Sequence, residues 1–313
     1  MHLARVGHEP RLWGRDPSLV ADLRGRRANA VYLQDVTFPD SLQVTADLEE
    51  AVRDTDVAVV AVPSHGIREV MRHAAPRVAP SLIVVSGAKG LEQDTLYRSS
   101  EVIRQELGSN ARLGVLSGPS FAFELARELP TAVCIASDDG EVIERVQSDF
   151  RSSYFRLYGS RDVVGVEIGG ALKNVIAIAA GVAEGLGLGH NAQAGLMTRG
   201  LAEIARLACA LGGQRDTLAG LAGLGDLVLT CTGALSRNRH VGIELARGRS
   251  LQDVLAGMKM VAEGVRTTDA ALALGKRCGV ELPIAAQVAE LLAGRKNARD
   301  ALFDLMLRPQ RLE

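Results

Sequence analysis

The run Asp56–Val62, DVAVVAV, is the most restrictive stretch of this 313-residue chain. A strand that apolar has no face to offer water, so it belongs in a sheet covered by helices on both sides. The surrounding sequence supports that setting. From Pro10 to about Tyr158, short β-rich runs alternate with longer helical ones. Arg11–Trp13, Ser81–Ser86, Arg112–Ser117, Thr131–Ala136 and Tyr154–Leu157 read as strands. Asp47–Arg53, Ser64–Arg77 with Ser64 as its N-cap, and Asp94–Leu107 read as helices. The alternation predicts a doubly wound α/β domain on a parallel sheet. Beyond Arg161 the strand signal ends, and Val163–Gly185, Ala194–Leu211 and Arg237–Arg247 read as helices rich in alanine, leucine and glycine. The expected organisation is an α/β domain over 1–162 and an all-helical domain over 163–313, with a substrate in the cleft between them.

Charge narrows the partners. Thirty-six basic residues against thirty-seven acidic ones leave a net charge of −1, so neither nucleic acid nor an anionic membrane is expected as principal partner. Any anion site must be local. The longest apolar run, Val175–Ala183, is far shorter than the roughly 20 residues that span a bilayer, so no membrane span is expected. Cys134, Cys209, Cys231 and Cys278 are widely spaced and show no zinc pattern. Reduced thiols in the cytoplasm, and no metal, are the expectation.

Four segments carry candidate chemistry. SGAKGLE, Ser86–Glu92, sets Lys89 between glycines at the carboxyl end of a strand, where ligands bind in open α/β sheets; alone, it also reads as an exposed loop lysine. SGPSFAFELA, Ser117–Ala126, offers Gly118, Pro119 and Ser120 as a tight strand-to-helix turn with free amides, or simply as a helix start. In VEIGGALKNVIAIAAG, Lys173 and Asn174 interrupt a helix otherwise apolar or small all round. A lysine buried there must reach an edge, pair with an acid, or do chemistry. Lysine supplies only five of the basic residues, and unlike arginine it releases a proton at accessible pH. Gly169 and Gly170, one turn earlier, allow another backbone or a cofactor to approach. GLGDLVLTCTGALSRNR, Gly223–Arg239, places Asp226 and Thr230 on one helical face. Ser236, Arg237 and Asn238 then open a helix suited to a phosphate dianion, or to nothing more than a capped, solvated turn. In RLWGRD, Arg15 followed by Asp16 occupies the place of the ribose-binding acid of a dinucleotide fold, which favours NADPH and keeps NADH open.

Together these segments, with VAEGVRTT, resemble the bacterial NAD(P)-dependent glycerol-3-phosphate dehydrogenase family, in that family's order and over nearly the whole chain. The resemblance implies a Rossmann dinucleotide-binding domain followed by an all-α substrate domain. It also implies interconversion of sn-glycerol 3-phosphate and dihydroxyacetone phosphate, feeding phospholipid synthesis. Lys173 would be the proton donor and acceptor, with Lys89, Asp226 and Thr230 as its catalytic company. Substrate contacts would fall on Lys89, Gly118, Ser120, Lys173, Asp226, Ser236, Arg237 and Asn238. Cofactor contacts would fall on Arg15, Tyr32, Lys89, Ala122, Arg237, Val261 and Glu263. A homodimer is the assembly expected. The family's opening strand and glycine-rich turn do not occur in the sequence, which has no GxGxxG; the expectation is that they lie ahead of Met1 and that Met1 falls inside the first helix. The rival readings are a related hydroxyacid dehydrogenase, which would need a carboxylate site in place of SRNR, and a non-catalytic remnant.

Overall fold

The structure is a computed structural model, described over residues 1–258 and 261–309. It falls into two compact units. The first comprises 1–62, 66–88 and 99–163, and the second 63–65, 89–98 and 164–313.

The first unit opens with α1 (His2–Arg5), β1 (Arg11–Trp13), α2 (Pro17–Arg26), β2 (Ala28–Asn29), β3 (Leu33–Thr37), β4 (Gln43–Thr45) and α3 (Leu48–Val52). Then follow β5 (Val57–Val60), α4 (Ile67–Ala74), β6 (Ile83–Ser86), α5 (Ser99–Leu107) and β7 (Arg112–Ser117). It ends with α6 (Ala122–Ala126), β8 (Thr131–Ala136), α7 (Gly140–Phe150) and β9 (Phe155–Ser160). The five strands β5–β9 form one sheet in sequence order. β5, β6 and β7 run parallel, in the register Val57↔Ile83 and Ile83↔Arg112. Ile83, Val85, Val133 and Ile135 meet Val142, Val146 and Phe150 of α7 in the core of this unit.

Two features differ from the sequence reading. β8 runs antiparallel to β7, so the sheet is mixed. The connection 118–130 carries only the short α6 and no helix that runs the length of the strands, as the crossovers between parallel strands usually do. Secondly, the DVAVVAV strand is not buried on both faces. Among the described residues β5 bonds only to β6, and Val59 is 42% exposed. Among them, too, β1 bonds only to β4, in a separate two-stranded sheet, and Leu12 is 40% exposed. Each of these strands thus keeps one unpaired edge and an exposed apolar side chain. Ser64 is not the cap of α4; it lies in a short 3₁₀ turn, and Gly66 precedes the helix without a side-chain cap.

The second unit is helical: α8 (Val163–Gly185, all but its first residue), α9 (Gly189–Ala210), α10 (Arg215–Ala219), α11 (Asp226–Thr232), α12 (Arg237–Ala246), α13 (Leu251–Ala256), α14 (Glu263–Arg277), α15 (Pro283–Leu292) and α16 (Ala298–Met306). α8 has the length and apolarity of a membrane span, but 89% of its apolar window is buried inside the protein. It is a core helix. Ile168, Ala171, Leu172, Val175 and Ile176 are each at most 2% exposed, packed among Ile204, Leu207, Leu227 and Leu274. α12 lies directly on α8 because both lack side chains at the crossing. A Cβ on Gly181 would stand 2.0 Å from the Arg239 carbonyl oxygen, and one on Gly242 2.0 Å from that of Ile178.

Candidate active site

Three carriers bring charged groups together inside the second unit. α8 supplies Lys173, 6% exposed. The segment 89–98 supplies Lys89. α11 supplies Asp226, 1% exposed, preceded by a turn of π-helix at Leu221–Gly225. Such wide turns are uncommon and concentrate at functional sites. This one approaches α8 through Gly169, where a Cβ would stand 2.7 Å from the Ala222 carbonyl oxygen. The expectation of close approach at Gly169 is met by protein backbone.

Asp226 receives one lysine on each oxygen. Lys173 Nζ donates to Oδ1, and Lys89 Nζ donates to Oδ2 at 2.5 Å. Lys173 also donates to Thr230 Oγ1 at 3.0 Å, and the Thr230 hydroxyl in turn donates to the Asp226 backbone carbonyl at 2.6 Å. Thr230 thereby fixes the position of the amine. Burial, reinforced by the Lys89 charge and opposed by Asp226, pushes the Lys173 pKa down to about 7. Burial pushes the Asp226 carboxyl up, but the two ammonium groups outweigh it and hold it below its ordinary value. A lysine titrating near neutrality can both give and take a proton.

The start of α12 is bonded to the turn of α8 that carries Lys173. Ser236 caps α12, its hydroxyl accepting the Arg239 N–H at 3.3 Å. The Arg239 guanidinium is committed to Glu184, at 2.7 and 2.5 Å. Arg237, by contrast, is exposed and has no ion-pair or hydrogen-bond partner among the described residues. Asn238 is buried, donating to Asn174 Oδ1 at 3.0 Å and accepting the Gly264 N–H at 3.0 Å. The residue after Lys173 is therefore bonded to the residue after Arg237, which fixes the start of α12 against the amine-bearing turn of α8. Glu263 opens α14, and Val261 is 40% exposed ahead of it.

The remaining expected residues lie in the first unit. Gly118 is buried, with φ +137°, and a Cβ there would press on the Val133 backbone at 3.0 Å. Ser120 does not cap a helix; its hydroxyl donates to the Gly118 carbonyl at 3.0 Å, and α6 begins only at Ala122, which is exposed. Arg15 follows β1 and is exposed, as is Tyr32. Asp16 is occupied as the α2 cap, accepting the N–H groups of Ser18 and Leu19 at 2.9 and 3.4 Å.

Over residues 1–143 and 162–303 the sequence matches the N-terminal and C-terminal domains of NAD-dependent glycerol-3-phosphate dehydrogenase. The chain belongs to that family. It is 51% identical to the glycerol-3-phosphate dehydrogenase [NAD(P)+] of Thioalkalivibrio sulfidiphilus, and 50% to that of a Geobacter strain, each over 251 residues, 80% of this chain and 75% of the relative. The crystal structure of glycerol-3-phosphate dehydrogenase from Coxiella burnetii superposes with a TM-score of 0.94 at 36% identity, covering 98% of this chain and 94% of that one.

The family is NAD(P)-dependent, and the fit of a dinucleotide to these residues is partial. Arg15, expected at the adenosine end, is exposed. The diphosphate has no glycine-rich cradle in this sequence, and the strand edges of β1 and β5 that would flank such a cradle are unpaired. Sequence reading also missed two buried groups. The Asn174–Asn238–Gly264 link escaped it because an asparagine beside a lysine carries no signal of its partner. Glu203 of α9, 2% exposed, escaped because it sits in an ordinary helical pattern. It accepts the Ile284 and Ala285 N–H groups at the start of α15, at 2.6 and 3.4 Å, and burial pushes its carboxyl up to about 7.

Proposed function

We propose that this chain interconverts sn-glycerol 3-phosphate and dihydroxyacetone phosphate, with Lys173 moving the proton at the C2 oxygen. The observation that carries the reading is the Lys173–Asp226–Lys89 group tied, through Asn174 and Asn238, to the start of α12.

In reduction, the Lys173 ammonium gives its proton to the developing C2 alkoxide; in oxidation, the neutral amine takes it back. Asp226 orients the amine, and Thr230 holds it in one rotamer. Lys89, paired with Asp226, adds positive charge where the C2 oxygen becomes negative. Arg237 and the free amides behind Ser236 hold the phosphate, with the positive end of α12 assisting. Bound NADPH or NADH supplies the hydride at C2. Ser120 and Gly118 are proposed as further substrate contacts, and Arg15, Tyr32, Ala122, Val261 and Glu263 as cofactor contacts.

Arg15, unpaired beside an Asp16 already spent on a helix cap, favours a 2′-phosphate. Four free cysteines suit a reducing, cytoplasmic setting, and a homodimer is the proposed assembly, checked by sedimentation. The deciding experiment is NADPH-dependent turnover of dihydroxyacetone phosphate. Absence of turnover in a preparation shown to bind NADPH would leave a non-catalytic protein.

A further inference from the structure

Ser64 is buried and spends both of its donors on one acceptor. Its N–H reaches Glu263 Oε1 at 3.3 Å and its hydroxyl reaches Oε2 at 2.8 Å, across 199 positions of sequence. Gly90 closes over the pair. Its φ of +142° is open to glycine, and a Cβ there would stand 2.7 Å from Ser64 Oγ and 3.3 Å from Glu263 Oε2. The preceding residue is Lys89, which sits on Asp226. The clamp therefore lies against the loop that delivers a lysine to the proton-transfer centre.

Glu263 has a second neighbour. The residue after it, Gly264, donates its N–H at 3.0 Å to Asn238, the residue after Arg237, so the two side chains leave adjoining backbone, and the charge of Glu263 opposes the lowering of the Arg237 pKa by burial. Yet Arg237 forms no ion pair with it or with any other described residue. A free carboxylate near a guanidinium closes into a charge-assisted, often bidentate contact, and in doing so takes the donors that a phosphate would use. Here both carboxylate oxygens are held by Ser64 instead.

We infer that Ser64 is a positioning residue that holds the Glu263 carboxylate off Arg237 and so keeps the guanidinium open for the substrate's phosphate. The inference rests on the phosphate site proposed above and deepens it. Ser64→Ala releases Glu263 to compete with the anion. Ser64→Thr retains both donors. Glu263→Gln in the Ser64→Ala background removes the competing charge and restores anion binding, a rescue that a merely structural serine does not give.

The test is calorimetric titration of the full chain with glycerol 3-phosphate, without cofactor and at low ionic strength, each variant first shown folded by circular dichroism. Arg237→Ala and Ser64→Ala are each expected to weaken binding about tenfold, as loss of one charge-assisted contact does. Ser64→Thr and the double variant are expected to bind within about twofold of the parent, a difference below half a kcal/mol. Unchanged binding in Arg237→Ala removes the phosphate site, and the role of Ser64 with it. A loss in Arg237→Ala with parent-like binding in Ser64→Ala, or a double variant as weak as Ser64→Ala, overturns the role of Ser64 and leaves the phosphate site standing.

Discussion

Lys173 and Asp226, from helices 53 positions apart in sequence, are bonded to one another while both are almost sealed from solvent. A buried ion pair of this kind contributes little net stability, because desolvation of both charges offsets their attraction. What it provides is an amine of fixed position whose pKa is set by its surroundings. Asp226 keeps the charged form within reach, and burial with Lys89 makes the neutral form accessible.

A pH profile follows from that balance. With the Lys173 pKa near 7, the ammonium needed for reduction is lost as pH rises through about 7, and the amine needed for oxidation is gained. Initial rates should therefore fall in the reductive direction and rise in the oxidative direction across neutrality. Parallel profiles in the two directions would remove Lys173 as the proton carrier.

Glu203 and Lys173 should shape stability in opposite directions. The folded Glu203 pKa, near 7, lies above its unfolded value of 4.5, so its contribution is fully present below pH 4.5 and is lost as pH rises through 7. The folded Lys173 pKa lies below its unfolded 10.5, so between about 7 and 10.5 the unfolded chain binds more protons and stability rises with pH. Urea titrations of Glu203→Gln should show a flatter dependence between pH 4.5 and 7. An unchanged slope there would mean that Glu203 is ionised in the folded protein throughout.

Gly169→Ala should destabilise the chain by about 1–3 kcal/mol, the usual cost of overpacking, since a Cβ at 2.7 Å from the Ala222 carbonyl must displace the π-turn or α8. Because that turn leads directly into Asp226, turnover should fall as well. A variant with parental stability, measured by urea denaturation, would show that the crossing has slack.

Much of this site was legible in the sequence because its residues are anomalous where they stand. A lysine in an apolar helix and an acid and threonine four apart need no structure to attract attention, and the structure joins them. What the sequence did not convey depends on distant partners. Ser64 looks like a helix cap until Glu263 is seen on its hydroxyl. DVAVVAV reads as a central strand because its apolarity is that of one; among the described residues β5 nevertheless bonds only to β6. β8 runs antiparallel to β7, a direction that residue periodicity does not carry.

Cofactor choice is tested at Arg15. With Asp16 spent on the α2 cap, Arg15→Asp should weaken NADPH far more than NADH, as read by fluorescence titration. An unchanged preference between the two would place the selectivity elsewhere.

The central claim is that Lys173 carries the proton, and its most direct test is the rate of dihydroxyacetone phosphate reduction by Lys173→Ala in a chain that binds NADPH, alongside calorimetric titration with glycerol 3-phosphate. The account predicts a fall of about 10²- to 10⁴-fold in turnover with phosphate-substrate affinity largely kept. A variant retaining more than about a tenth of the parental rate, outside the range expected for loss of a general acid, would contradict it.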